Sequence, residues 1–154
     1  MDRTMYDPAI SLPGDARRIV SAGTFDLRIH WSATNGAMSV WESLVAPEEG
    51  PPMHIHTAED ETFYVLDGTF RFWCGEESFE AGPGTVAVLP RGIPHTFKNT
   101  GGTTGKLLCV CTPGGFEEFF IELERDKVTD PATLAAIGER YGVRFIPPKA
   151  ANAA

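Results

Sequence analysis

The chain has 154 residues, enough for one domain with a genuine core, because domains of about 100–150 residues are the commonest size. Hydrophobic residues make up 42% and charged residues 22%, ordinary globular usage that argues against a fibrous repeat or extensive disorder. A net charge of −8 repels a nucleic-acid backbone and an anionic membrane surface, so both are set aside as partners and a small molecule is expected.

No apolar run approaches the ~20 residues that span a bilayer. Met1 to Gly14 carries Asp2, Asp7 and two prolines where a secretory leader needs a basic and then an apolar stretch, so the expected compartment is the cytoplasm. Three cysteines, an odd number without secretory context, point to reduced thiols. Cys109 and Cys111 share one face of an apolar strand and read as core packing.

In chain order, residues 1–18 hold prolines and mixed charges without periodicity and read as an N-terminal arm, draped over the body or reaching a partner subunit. Residues 19–146 form a single body. It begins with strict alternation from Phe25 to Trp31, with Phe25, Leu27, Ile29 and Trp31 on one face, as a half-buried strand requires. Asn35-Gly36 supplies a hairpin turn. Short strands follow at about 38–45, 61–66, 69–74, 77–80, 85–89, 94–98 and 105–112, each bounded by glycine or proline. Asp67-Gly68 is a two-residue hairpin signal, since both turn positions favour positive φ. This rhythm means an all-β sandwich or barrel.

After Pro113 the period changes. Phe116, Phe119, Phe120 and Leu123 fall at i, i+3, i+4 and i+7 among glutamates, which predicts a short amphipathic helix capping the barrel. Asp130-Pro131 reads as an N-cap with proline in the first helical position, and Gly142 suits the end of a second helix. Residues 147–154 form a flexible tail.

The chain has four histidines, and three of them stand in two segments that also hold what a metal site needs. His54 and His56, two apart, point to one face of a strand. Glu61 opens the next strand after a polar turn, and Pro90, Gly92 and Pro94 deliver His95 at the start of another. Three neutral imidazoles and a carboxylate suit one divalent transition metal, Fe, Mn, Ni, Co, Cu or Zn, with positions left open for water, substrate or O2. Which metal is bound stays open, because supply and not affinity order selects it. His30, beside Asp26 and Arg28, reads as a plain surface residue.

These segments resemble the two signature motifs of the cupin superfamily. In the first, His54-Ile55-His56 is followed by four residues, Glu61, six residues and Gly68; in the second, Gly84, Pro90, Gly92, His95 and Asn99 keep the motif spacing. Only the Gly50-to-His54 gap, three residues here, is shorter than the family's usual spacing. The resemblance implies a double-stranded β-helix, the jelly-roll barrel, with His54, His56, Glu61 and His95 as metal ligands. Strand parity then turns Phe63 and Phe97 into the metal cavity, with Phe72 and Met38 as further lining candidates and Phe116 or Phe119 at the mouth. A cavity of this kind, without an inward basic cluster, prefers an apolar or aromatic substrate to a sugar phosphate.

Asp60 to Gly68, Pro90 to His95 and Gly114 to Phe120 are similar to the corresponding stretches of small quercetin 2,3-dioxygenase-like cupins. That resemblance implies a metal-dependent dioxygenase opening an oxygenated aromatic ring of the flavonol type, with Glu61 as the base. A non-oxidative cupin enzyme, such as a polyketide cyclase, isomerase or decarboxylase, stands as the alternative, and so does a small-molecule-binding cupin without turnover. A homodimer is expected from the two-fold tendency of soluble proteins and from β-sheet packing between cupin subunits.

Overall fold

The computed structural model describes residues 5–148 as two facing antiparallel sheets closed by two helices. The first sheet contains β1 (Arg17–Ser21), β2 (Gly23–Ile29), β3 (Ser39–Val45), β5 (Asp60–Asp67), β8 (Val86–Leu89) and β10 (Gly105–Thr112), in the order β1-β2-β3-β10-β5-β8. The second contains β4 (His54–His56), β6 (Phe70–Cys74), β7 (Glu77–Ala81), β9 (His95–Asn99) and β11 (Val143–Phe145), in the order β11-β4-β9-β6-β7. The chain thus switches sheets repeatedly, as a jelly roll does. The strands lie close to their expected positions because alternation is clear in them. Trp41 and Val45 of β3, Phe63 and Val65 of β5, and Leu107, Cys109 and Cys111 of β10 all point into the core.

Several features differ from the sequence expectation. β1 begins at Arg17, inside the expected arm; it buries only Ile19, which gives no alternating signal, and it is held by pairing with β2 and by the Arg18–Asp26 ion pair. The described part of the arm lies along the barrel, where Arg28 donates from Nε to Ser11 Oγ at 2.9 Å and from its terminal nitrogen to the Ser11 and Leu12 carbonyls. Trp31 leaves the strand and opens a short 3-10 turn, Trp31–Thr34, so Asn35 and Gly36 join β2 to β3 through a longer connection. The tail from residue 149 onward lies outside the described residues.

Asp67-Gly68 is not a hairpin. β5 pairs with β10 and β8, and β6 pairs with β7 and β9, so this turn carries the chain from one sheet to the other. Only Gly68 has positive φ, +89°, and a Cβ there would come within 2.9 Å of the Gly105 backbone. The tight hairpin is Gly75-Glu76, between Cys74 and Glu77, with the glycine at positive φ in the first central position.

The helices are α1 (Glu117–Arg125) and α2 (Pro131–Arg140). Asp130 caps α2 by accepting the Thr133 N–H at 2.9 Å. α1 buries Phe119 and Leu123 against the barrel, and its Glu122 carboxylate accepts from Arg140 and from the Tyr141 hydroxyl, which locks the two helices together. His30 is not a plain surface residue: it is half-buried, with Nε2 2.5 Å from Glu118 Oε1 and Nδ1 beside Ser32, so it fastens the 3-10 turn to α1. No helix among the described residues is long and apolar enough to cross a membrane.

Gly50 lies where the loop before β4 crosses β9. An added Cβ would fall 1.8 Å from the Phe97 carbonyl oxygen, a backbone atom that cannot swing aside. Gly50→Ala is therefore expected to destabilise the fold by about 2 kcal/mol or more. Gly82→Ala, where a Cβ meets nothing within 4 Å, stays within about 0.5 kcal/mol of the parent. Thermal denaturation of the two variants side by side checks this.

Candidate metal centre

The two sheets contribute different chemistry to one point between them. Glu61 projects inward from β5, level with Cys111 and Leu89 of its neighbours. His54 and His56 project inward from β4, and His95 stands directly opposite His54 on β9. All four are buried, at 7% exposure for His54, none for His56, 4% for Glu61 and 1% for His95. Their ligand atoms lie within 4.8 Å of one another.

Each ring is oriented from outside the cluster. His54 Nδ1 donates to the Pro52 carbonyl at 2.7 Å, His95 Nδ1 to the Ile93 carbonyl at 3.2 Å, and His56 Nδ1 to the buried Glu59 carboxylate at 3.3 Å. An acceptor at Nδ1 makes that nitrogen the N–H in each case and leaves Nε2 for the centre. His95 Nε2 lies 2.8 Å from Glu61 Oε2. His56 Nε2 lies 3.3 Å from the same oxygen, close enough for charge attraction but without hydrogen-bond geometry, so it is a wholly buried nitrogen with no hydrogen-bond partner. Such an orphan, beside two more imidazoles and a carboxylate, is what a bound cation satisfies. The donor set fits one divalent ion.

The charges follow from burial and pairing. Burial pushes His54 down to about 4, against the pull of Glu61. Burial works the same way on His56, but Glu61 and the Glu59 hydrogen bond outweigh it and lift His56 to about 9. Burial alone would raise Glu61; the adjacent His56 charge, with His95 Nε2 close against the same oxygen, holds it well below the usual carboxylate range. The cluster without metal is therefore an ion pair of Glu61 with His56. Cys109 and Cys111 stay thiols, since burial and then the Glu61 charge push both up, and Cys109 Sγ lies 3.8 Å from Glu61 Oε1.

Two supports lay outside the sequence reading. Glu59, taken there as part of a polar turn, is a buried carboxylate facing His56. Arg91 clamps Asp60 through its backbone N–H at 2.9 Å and its guanidinium at 3.1 and 3.2 Å, tying the turn before His95 to the residue before Glu61. An acidic residue flanking Glu61 and a basic one between Pro90 and Gly92 were the available signals. Asn99 lies at the far end of β9 and is structural: its side chain donates to the Val45 and Thr103 carbonyls and accepts from Gly101.

A cavity of about 300 Å³ runs from His54 and Glu61 toward exposed Gly23, Glu49 and Pro52. Eight aromatic side chains line it: Phe25, Trp41, Phe63, Phe97, Phe116, Phe119, Phe120 and Phe145. No lysine or arginine does. Phe63 and Phe97 thus stand on the wall, but Met38 and Phe72 do not. Met38 precedes β3, whose inward residues are Ser39, Trp41, Ser43 and Val45, so Trp41 takes the place expected for Met38. Phe72 is fully buried behind the wall, stacked on Phe79 at 5.4 Å. Phe116 sets its edge against the His56 ring at 4.4 Å, so α1 forms the roof of the centre.

A buried three-histidine, one-glutamate cluster between the sheets of a jelly roll defines a class of protein. Residues 41–111 match the family model for the cupin domain, which supports placing the chain in the cupin superfamily. It is 32% identical over 82 residues to quercetin 2,3-dioxygenase of Bacillus subtilis, a match covering 50% of this chain and 24% of that one. It is 33% identical over 107 residues to germin-like protein 1 of Brassica napus, covering 65% of this chain and 52% of that one. The chain spans less than two thirds of the curated relatives it matches. Among solved structures, KdgF from Halomonas sp. superposes with a TM-score of 0.63 at 15% identity, covering 73% of this chain and 99% of that one, a likeness of fold.

Metal binding has to displace the His56 proton, so His56 contributes about a tenfold gain in affinity per pH unit as pH rises toward about 9, and none above it. Calorimetry in buffers of different ionisation enthalpy checks the proton released. His54→Ala and His95→Ala are expected to lose the ion in elemental analysis. Glu59→Ala, which frees the His56 ring, weakens binding about 10–100-fold.

Proposed function

We propose that this chain is a metal-dependent dioxygenase acting on an aromatic or flavonol-type small molecule, with His54, His56, Glu61 and His95 holding one divalent transition metal. The observation that carries this reading is the direct continuity between the buried cluster and a cavity walled by aromatic rings, with no cation along it. The similarity of half the chain to a quercetin 2,3-dioxygenase supports it. When bound, the ion supplies a Lewis acid that lowers the pKa of a coordinated hydroxyl.

The chain's own residues do the rest. Phe63, Phe97 and Phe116 exclude water and hold a flat ring by its faces and edges. Glu61 is the buried carboxylate at the head of the cavity, and it accepts the substrate hydroxyl proton. Glu59 and the Pro52 and Ile93 carbonyls keep the imidazoles fixed while the proton moves. Beyond the centre, an anionic substrate such as a sugar phosphate meets a wall without a positive charge and the Glu49 carboxylate at the mouth.

The test is oxygen uptake by protein loaded in turn with each candidate metal and offered a panel of flavonols and related phenols, with products identified by mass spectrometry. Uptake matched to substrate loss is expected, with both oxygen atoms in the products. Equal turnover under nitrogen removes the dioxygenase reading and leaves the non-oxidative one. Glu61→Gln is expected to keep part of the metal and lose about 100-fold or more in kcat, because an amide ligates weakly and accepts no proton.

A further inference from the structure

Away from the cluster three polar side chains line the cavity, exposed Glu49 and half-buried Thr24 toward the mouth and buried Ser43 on the inner wall. Ser43 projects inward from β3 between Trp41 and Val45, is 4% exposed, and lines the cavity. Its hydroxyl makes no hydrogen bond to another described side chain or backbone group and borders the cavity, so it is left to pair with whatever occupies that space. Nothing in the packing of β3 asks for serine here, because its register partners on both sides, Phe25 of β2 and Leu107 of β10, are apolar.

The strand register fixes how far this hydroxyl is from the centre. Ser39, Cys111 and Glu61 lie in one row across β3, β10 and β5, and Ser43, Leu107 and Val65 lie in another. The rows are four residues apart, or about 13 Å along the strands. A molecule that reaches the cluster with one end and Ser43 with the other is therefore on the order of 10 Å long, the span of a few linked rings. The wall between carries no charge, and Glu49 at the mouth disfavours an anion.

We propose that Ser43 is the distal anchor of this cavity and sets its specificity: the preferred ligand is an elongated, uncharged, ring-based molecule bearing a hydroxyl or carbonyl at the end away from His54 and Glu61. The inference rests on the reading that the cavity takes an aromatic small molecule. Ser43 touches the ligand but not the reacting atoms, so its effect falls on affinity and on the choice between ligands.

The experiment uses metal-loaded protein under nitrogen, so that binding is read without turnover, with quenching of Trp41 on the cavity wall as the signal. The probes are 3-hydroxyflavone and 3,4′-dihydroxyflavone, which differ only by a hydroxyl at the distal ring. The parent protein is expected to bind the dihydroxy probe roughly fivefold more tightly. Ser43→Ala brings the two affinities together by weakening the dihydroxy probe, and Ser43→Thr, which keeps the hydroxyl, restores the preference. Melting temperatures of both variants near that of the parent show that the fold is intact. If both probes bind the parent equally, or if Ser43→Ala keeps the preference, Ser43 is not the anchor while the aromatic cavity stands. If neither probe binds any of the proteins, the aromatic reading of the cavity falls and the anchor falls with it.

Discussion

The structure depends on an ionised carboxylate from one sheet meeting imidazoles from the other where both are almost wholly buried. Glu61 has no lysine or arginine near it; its charge is balanced by His56, and its Oε2 faces both His56 and His95. Removing either sheet's contribution would leave an unpaired buried charge, the costly case for any interior. The cluster therefore fixes how the sheets face each other at this end of the barrel, whatever it adds to net stability. The outer hydrogen bonds make the arrangement rigid, because two of the three rings are held by main-chain carbonyls whose position the turns determine.

The roof over the centre is built on the same principle. Glu117, at the first turn of α1, is a fully buried carboxylate that accepts the Trp31 N–H at 2.6 Å and the Gly115 N–H at 2.9 Å. His30 and the Trp31 indole both reach Glu118 beside it. These contacts bring the start of α1 down on the barrel and so place Phe116 against His56. A carboxylate at a helix N-terminus is electrostatically favourable in itself. Here it also decides where an aromatic wall stands.

Parts of this were legible in the sequence because they are local. His54, His56 and Glu61 lie within eight residues, and His95 follows a turn whose prolines and glycine leave little freedom. Strand positions were legible wherever one face is apolar and the other is not. β3 shows the limit: Val40 and Leu44 on the outer face are as apolar as Val45 on the inner one, so periodicity alone could not set the phase, and Met38 was placed inside where Trp41 is. Pairing is the other limit. A local signal at Asp67-Gly68 looks like a hairpin, but β5 finds β10 at separations of 39 (Asp67↔Lys106) to 52 (Asp60↔Thr112) and β6 finds β9 at 21 (Cys74↔His95) to 29 (Phe70↔Asn99), in opposite sheets, and no neighbouring residue records that. Glu59 escapes a sequence reading for a related reason, since a carboxylate in a turn is usually solvated and only the fold sets it, buried, against His56.

The separation of charge along the cavity has a consequence for what it can tell apart. One end holds the histidine cluster, Glu49 stands at the mouth, and the wall between is largely apolar and aromatic, with the Thr24 and Ser43 hydroxyls on it. An apolar wall distinguishes ligands that differ by a methylene by only about 1–3 kcal/mol, whereas a site built around a hydrogen bond rejects the analogue lacking it more sharply. Anions fare worst of all, because a charge halfway along the cavity would be stripped of water and given nothing in return. The fold hosts many chemistries and does not choose among them. In this chain the choice lies in how far a ligand reaches from the histidines, and whether it ends in a group that can pair with Ser43.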